Sequence, residues 1–370
     1  MDLKQYLQEL KRVVNIDCGT ATPAGVEEVS HIFQQWYLSE NWHCDSVDLG
    51  NKVGPGLFAT NKPNATWYDV LLVGHMDTVF PPGTVSERPF SIEGDRAYGP
   101  GVSDMKSGLL AILWALRGLE KADLERLAIA VAMNPDEETG SAYSHEWIGG
   151  IAKRSRCVLV CEAARADGSL VKARKGMARY RLAFKGVAAH AGNDPEKGRS
   201  AVKALAHAVL AISDLADPTK GTTLNTGVIS GGVGANIVAD RAEMIVDLRF
   251  NDNAEYLRVN EAVQSFSQRQ FEPDVLTTVE QQAQTPAMSP SAETEKLMKL
   301  VEKAGEAVDV EVRWQAVGGG SDANHTAALG IPSLDGFGPI GAGFHSPSEY
   351  LELNSIEPRV RLLREVIRSL

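Results

Sequence analysis

Residues 70–77 read VLLVGHMD, and the fold turns on them. Val70 to Val73 are apolar without interruption and run into Gly74-His75, so this is a strand with no wet face that stops at an imidazole. The pattern recurs twice: Leu127 to Met133 runs into NPDEETG, and Cys157 to Cys161 runs into Glu162. Strands of this kind are covered on both faces, which predicts a largely parallel sheet with helices on either side. In such an open α/β sheet, ligands bind at the carboxyl ends of the strands. The first such end is expected to carry His75 and Asp77, the next, in YGPGVSDMKSG, Asp104, the third Asp136-Glu137-Glu138 and the fourth Glu162, and GFHS of a later segment adds His345.

Carboxylates and imidazoles gathered at one sheet edge would cost several kcal/mol per charge if buried without a cation. His75 and His345 are neutral donors, and Asp104, Glu138 and Glu162 bring three negative charges. Two divalent ions and one bridging hydroxide close that balance, and mixed imidazole–carboxylate donors suit zinc, with cobalt or manganese as substitutes. Asp77, two residues past His75, is placed to hydrogen-bond the far ring nitrogen and set the tautomer. Glu137 is left over beside Glu138, and a carboxylate near a cation but not spent on it is a natural general base.

Outward from these strands, Leu3, Tyr6, Leu7, Leu10 and Val14 fall at helical spacing after a capping Asp2, and Thr22-Pro23 opens a second helix. Near residue 175 the period changes. Ala178, Tyr180, Leu182 and Phe184 alternate with Arg179, Arg181 and Lys185, and Met244 to Phe250 alternate in the same way, which predicts an antiparallel sheet with one wet face. Helices are expected around Val202–Val209 and Leu257–Phe266, from Pro290, and from a capping box at Asn354-x-x-Glu357. The expected architecture is an α/β domain over 1–174 and 288–370, with an inserted α+β domain over 175–287.

The chain has 370 residues and a formal net charge of −11, and 44% of its residues are hydrophobic, the mix of a soluble globular protein. The acidic balance argues against nucleic acid or an anionic membrane as partner, and no apolar run reaches the length of a bilayer span. The first residues, MDLKQYLQELKRVV, lack the pattern of a signal peptide. Cys157 and Cys161, four residues apart on a strand, are separated by about 13 Å, too far for a disulfide. With Cys18 and Cys44 they read as reduced thiols of a cytoplasmic protein.

The ordered motifs GHMDTV, YGPGVSDMKSG, NPDEETGS, CE, GVAAHAG, GGGSDA and GFHS resemble the aminoacylase/carboxypeptidase family of two-zinc hydrolases, from about residue 70 to the C-terminus. The resemblance implies that His75 and Glu162 hold one zinc and Glu138 and His345 the other, with Asp104 bridging and Glu137 as the catalytic glutamate. It also implies a homodimer formed through the inserted domain, which presents His190 to the partner's active site. Asn236 and Arg249 match the family's contacts to a substrate carboxylate, and the Gly318–Gly319–Gly320 turn reads as a backbone approach to the same group. YGPG, rather than YGRG, resembles the glutamate carboxypeptidase branch, so the expected reaction is release of a C-terminal amino acid, glutamate first, from a peptide or N-acyl substrate. Arg174 and Lys175 are candidates for a second substrate carboxylate, or else solvated surface.

Two other readings compete with this one: a deacylase of the acetylornithine or succinyl-diaminopimelate type, and a binding protein that kept the fold without turnover. Gly99-Pro100-Gly101 is no dinucleotide fingerprint, since Asp104 stands where the third glycine would be and would repel a pyrophosphate. The glycine turn lacks the lysine of a phosphate loop, and Ser103 and Ser321 lack partners for a serine hydrolase. His31, His43, His145, His207 and His325 read as surface or helix residues.

Overall fold

The apolar runs do pair with one another. In the computed structural model, which describes residues 1–370, Val70–His75 lies parallel to Ile129–Asn134 on one side and to Val158–Val160 on the other. Ser333–Leu334 adds a further parallel strand beyond Val158–Val160. Every residue of Val70–His75 and Ile129–Asn134 is buried, as uninterrupted apolar strands require. The outer side of this six-stranded sheet differs from the parallel expectation. Gly56–Thr60 runs antiparallel to Ile129–Asn134, and His43–Val47 closes the edge antiparallel to Gly56–Thr60. His43–Val47 is largely exposed, which suits an edge strand rich in polar residues.

The chain divides into two compact units: Met1–Ala173 with Pro290–Val317 and Ser321–Leu370, and Arg174–Ser289 with Gly318–Gly320. In the first unit the helix Ser107–Arg117 is buried along almost its whole length, and Leu353–Arg368 packs on it and on Ala292–Ala307. Gly108 allows this helix to meet the sheet, because a Cβ there would lie 1.9 Å from the Cys161 carbonyl oxygen. Asp2 caps the first helix, accepting from the Gln5 amide at 3.1 Å. The last helix begins at Leu353 with Glu352 at its cap, so Asn354 lies inside it and the expected capping box does not form. The Leu353 amide donates instead to the Asp95 carbonyl at 2.9 Å, a long-range bond that no local spacing encodes.

A second sheet of this unit, absent from the sequence expectation, orders Ser91–Glu93, Arg96–Tyr98, Tyr350–Glu352, Gly338–Ala342 and Ala163–Ala164. Its strands flank Asp104, Glu162 and His345 in the chain, so its pairing brings the returning segment back to the ligand-bearing loops. Arg359 ties it to the last helix. This guanidinium is 3% exposed and donates to the carbonyls of Gly338 (3.0 Å), Gly168 (3.2 Å) and Gly336. Burial pulls its pKa down to about 10, so it stays protonated at neutral pH. Arg359→Met should therefore leave buried carbonyls unpaired and lower unfolding free energy by on the order of 3 kcal/mol, read by denaturant titration.

The second unit is a four-stranded antiparallel sheet in the order Thr223–Gly231, Arg241–Phe250, Gly176–Lys185, Leu276–Thr285. Ala178, Tyr180, Leu182 and Phe184, with Met244, Val246, Leu248 and Phe250, form one buried face against Ala204, Leu205, Ala208, Ile212, Val259 and Val263 of the helices Ala201–Ser213 and Asn253–Ser265. Leu257 is 64% exposed, so the second helix is anchored by Val259 and Val263 instead. All four cysteines are free, and no helix is long and apolar enough to cross a membrane.

Candidate metal centre

His75 ends its strand wholly buried. Its Nδ1 lies 3.0 Å from the Asp77 carbonyl oxygen and 3.3 Å from Asp77 Oδ1, leaving Nε2 directed at Asp104 Oδ1 (3.3 Å) and Glu162 Oε1 (3.5 Å). On the far side of Asp104, Oδ2 lies 3.2 Å from His345 Nε2, which is 3.0 Å from Glu138 Oε2. The result is two groups, His75–Asp104–Glu162 and Asp104–Glu138–His345, in each of which the donor atoms lie within 4.8 Å of one another. Asp104 belongs to both. It sits in the kinked segment Val102–Lys106 that follows the small-sheet strand Arg96–Tyr98, with non-helical backbone at Asp104 itself (φ −114°, ψ 89°), and not at the end of a strand of the central sheet.

The chemistry of this donor set fits divalent cations. Burial opposes ionisation of Asp104, yet hydrogen bonds from His345 and His75 hold its carboxyl well below the usual range. His345 is pushed up to about 10 by its hydrogen bonds to Asp104 and Glu138. Burial would lower His75, but Glu162, Asp104 and Asp77 together drive it well above its ordinary value. The carboxylates thus demand positive charge at the two Nε2 positions; cations held there would meet that demand and leave both rings neutral.

Asp77 does more than face His75. Its Oδ2 accepts from Thr20 Oγ1 at 2.6 Å and from the Glu138 amide at 3.3 Å, and its Oδ1 accepts from the Glu137 amide at 3.2 Å. Glu137 stands outside both donor groups. Burial raises its carboxyl well above the ordinary range; the charge of His75 opposes that, while Glu162, Asp322 and Glu138 add to it.

Glu349 escaped the sequence reading. It is 1% exposed, and its two oxygens accept from the amides of Gly101 (3.0 Å), Ser103 (2.9 Å) and Asp104 (3.0 Å). Four residues after His345, it fastens the His345 segment to the Asp104 turn. Burial pushes its carboxyl up to about 7 despite these bonds. Nothing local in SPSEY signals the role, because its partners are backbone amides far away in the chain. Lys106 is likewise wholly buried, its Nζ on the carbonyls of Ile16 (3.2 Å) and Pro100 (3.3 Å).

The remaining candidates lie in the second unit. His190 is exposed, and its Nδ1 accepts from the amides of Gly192 (3.1 Å) and Asn193 (3.0 Å), which leaves the proton on Nε2. Asn236 is exposed. Arg249 is paired with Asp247 in a two-pronged bond, Nε to Oδ1 at 2.8 Å and Nη2 to Oδ2 at 3.2 Å, a partnership the sequence reading did not anticipate. Arg174 is buried and its Nη1 donates to the carbonyls of Gly319 (3.0 Å) and Gly320 (3.2 Å), so it shapes the glycine turn itself. Lys175 Nζ donates to the Gly221 carbonyl at 3.0 Å. In the first unit, His325 stacks on His145 with ring centroids 5.3 Å apart, and burial holds its pKa down to about 4.

The sequence pattern of Peptidase family M20/M25/M40 matches residues 71–369. Carboxypeptidase G2 of a Pseudomonas species is 30% identical over 372 residues, covering 98% of this chain and 89% of that protein. Acetylornithine deacetylase of Salmonella arizonae is 29% identical over 319 residues, covering 80% of this chain and 79% of that one. Among solved structures, aminopeptidase PepT from Bacillus cereus superposes with a TM-score of 0.81 at 22% identity, covering 100% of this chain and 99% of that one.

Proposed function

Since the chain belongs to Peptidase family M20/M25/M40 and is an amide-bond hydrolase, we propose that it releases a C-terminal amino acid, glutamate first, from a peptide or N-acyl substrate. The observation that carries this reading is the pair of donor groups sharing Asp104 with Glu137 left unspent beside them. His75, Asp104 and Glu162 would hold one zinc, and Asp104, Glu138 and His345 a second. Bound cations supply Lewis-acid polarisation of the scissile carbonyl and make an attacking water more acidic. Asp77 fixes the His75 ring through Nδ1 and aligns the Glu137 and Glu138 amides. The Glu137 carboxylate takes the proton of the attacking water and returns it to the leaving nitrogen as the C–N bond breaks, so the amine departs neutral. His190, with its proton on Nε2, can donate to the developing oxyanion, from the partner subunit if the second unit pairs two chains as the family resemblance implies. Four free thiols suit a cytoplasmic setting.

Arg249 and Asn236, with the Gly318–Gly320 backbone, are the proposed receptors for the substrate's free carboxylate, and Asp247 holds the Arg249 fork in a fixed plane. A release assay on a panel of N-acyl and N-peptidyl amino acids with zinc supplied tests the reading. Arg249→Ala should raise KM for free-acid substrates roughly tenfold or more and change amidated analogues little. If the wild type cleaved both kinds equally well, a general amidase would replace the carboxypeptidase. Preference for short acyl groups such as acetyl or succinyl would favour the deacylase reading, which the 29% identity to acetylornithine deacetylase supports.

A further inference from the structure

We propose that Asp322 is a positioning residue for Glu137 and Glu138, pinning both ends of the loop that carries them; the inference rests on the function proposed above. The loop leaves its strand at Asn134 and turns through Glu137–Thr139 to Ser141. At its start Asn134 Nδ2 donates to Asp322 Oδ2 at 2.7 Å, and at its end Ser141 Oγ donates to Asp322 Oδ1 at 2.6 Å. One carboxylate thus spans the loop's two ends, one oxygen for each.

All three side chains are buried: Asn134 is 0% exposed, and Ser141 and Asp322 are 1% exposed each. A buried carboxylate is costly, and it stands here close enough to Glu137 to raise that carboxyl further. An asparagine would be cheaper to bury but offers only one acceptor oxygen, and its amide would face another donor. The carboxylate is therefore explained by the two donors it must receive. The loop supplies its own inner closure, the Ser141 amide to the Asp136 carbonyl at 2.9 Å and the Gly140 amide to the Glu137 carbonyl at 2.7 Å. Asp77 accepts from the Glu137 and Glu138 amides at 3.2 and 3.3 Å.

Asp322 is itself held firmly. It opens the helix Asp322–Ala328, capped by Ser321 and Asn324 in reciprocal bonds. Ser321 Oγ donates to Asp335, and Thr326 Oγ1 pairs with Ser333 Oγ at 2.7 Å further along the same helix. Fixed at its base and bonded to both ends of the loop, Asp322 sets how wide the turn opens and so where the two glutamates point.

Asp322→Asn is expected to lower kcat roughly 10–100-fold with KM changed less than about threefold, and to weaken zinc binding in a competition titration. In the metal-free protein, hydrogen exchange at the amides of residues 137–141 should accelerate while the melting temperature of the whole chain moves little. Ser333→Ala, which removes an equally buried bond of the same helix without touching the loop, should leave kcat and the loop's exchange unchanged. Normal kcat with unchanged exchange in Asp322→Asn, or equal losses in Ser333→Ala, would overturn the inference. If Asp322→Asn does not fold, Ser141→Ala removes one of the two donors and is judged by the same two readouts. A wild type that releases no amino acid from any substrate defeats the proposed function, whereas the exchange measurement needs no substrate and judges Asp322 alone.

Discussion

Glu137→Gln is expected to cut kcat by about a hundredfold or more, ~2.7 kcal/mol of transition-state stabilisation, while metal content stays at the wild-type level. Glutamine keeps the volume and the amide that donates to Asp77 Oδ1, so the loop is preserved. What it removes is the ability to accept a proton. Glu137 belongs to neither donor group, which is why the change should spare the metals. Desolvation raises this carboxyl above the ordinary glutamate range. Steady-state kinetics beside metal analysis checks this. A variant within about threefold of wild type would place the general base on another residue.

Asp104→Ala should be the most damaging single change at the site for metal binding. Its two oxygens face different partners, Oδ1 toward His75 and Oδ2 toward His345, so one truncation takes a donor from both groups. The loss should exceed the roughly 10–100-fold that outer-shell changes cost in metal affinity, and activity should fall with it. The Ser103 and Asp104 amides would still reach Glu349, so the backbone turn should persist and the fold with it. Metal analysis after gel filtration, with circular dichroism as the control for folding, decides the matter. Two ions retained per chain would refute a shared role for Asp104. Loss of one ion only would assign it to a single group.

Much of the centre was legible because its residues sit where a local pattern stops. His75 and Glu162 come at or just after the end of uninterrupted apolar strands, and Glu137 and Glu138 follow another such strand by a few residues. An uninterrupted run that halts at a charged or imidazole side chain is visible from its immediate neighbours. Glu349 gave no such signal, and Asp322, although it stands in the GGGSDA motif, was legible there only as part of a backbone turn. Each is one acidic residue among 48, and each acquires its meaning from groups far away in the chain: three amides of the Asp104 turn for Glu349, and Asn134 and Ser141 for Asp322. Arg249 was visible in VDLRF as a guanidinium on a strand, but its pairing with Asp247, two residues away on the same face, depends on rotamers that composition does not specify.

The sequence by itself determined the α/β class, the parallel core of the main sheet and the antiparallel second sheet, because each follows from side-chain period. Burial on two faces demands continuous apolar strands, and burial on one demands alternation. Only the tertiary structure decided what joins those strands at long range. The antiparallel edge His43–Val47 and Gly56–Thr60, and the small sheet that returns His345 to Asp104, are built from backbone hydrogen bonds that nearly every residue type can make. Their pairing is set by which chain ends the folded core brings together, so it carries little local signature. The same holds for the last helix, whose first amide is taken by Asp95, and for the carboxylates of Glu349 and Asp322, which are stable in the interior only because distant donors arrive there.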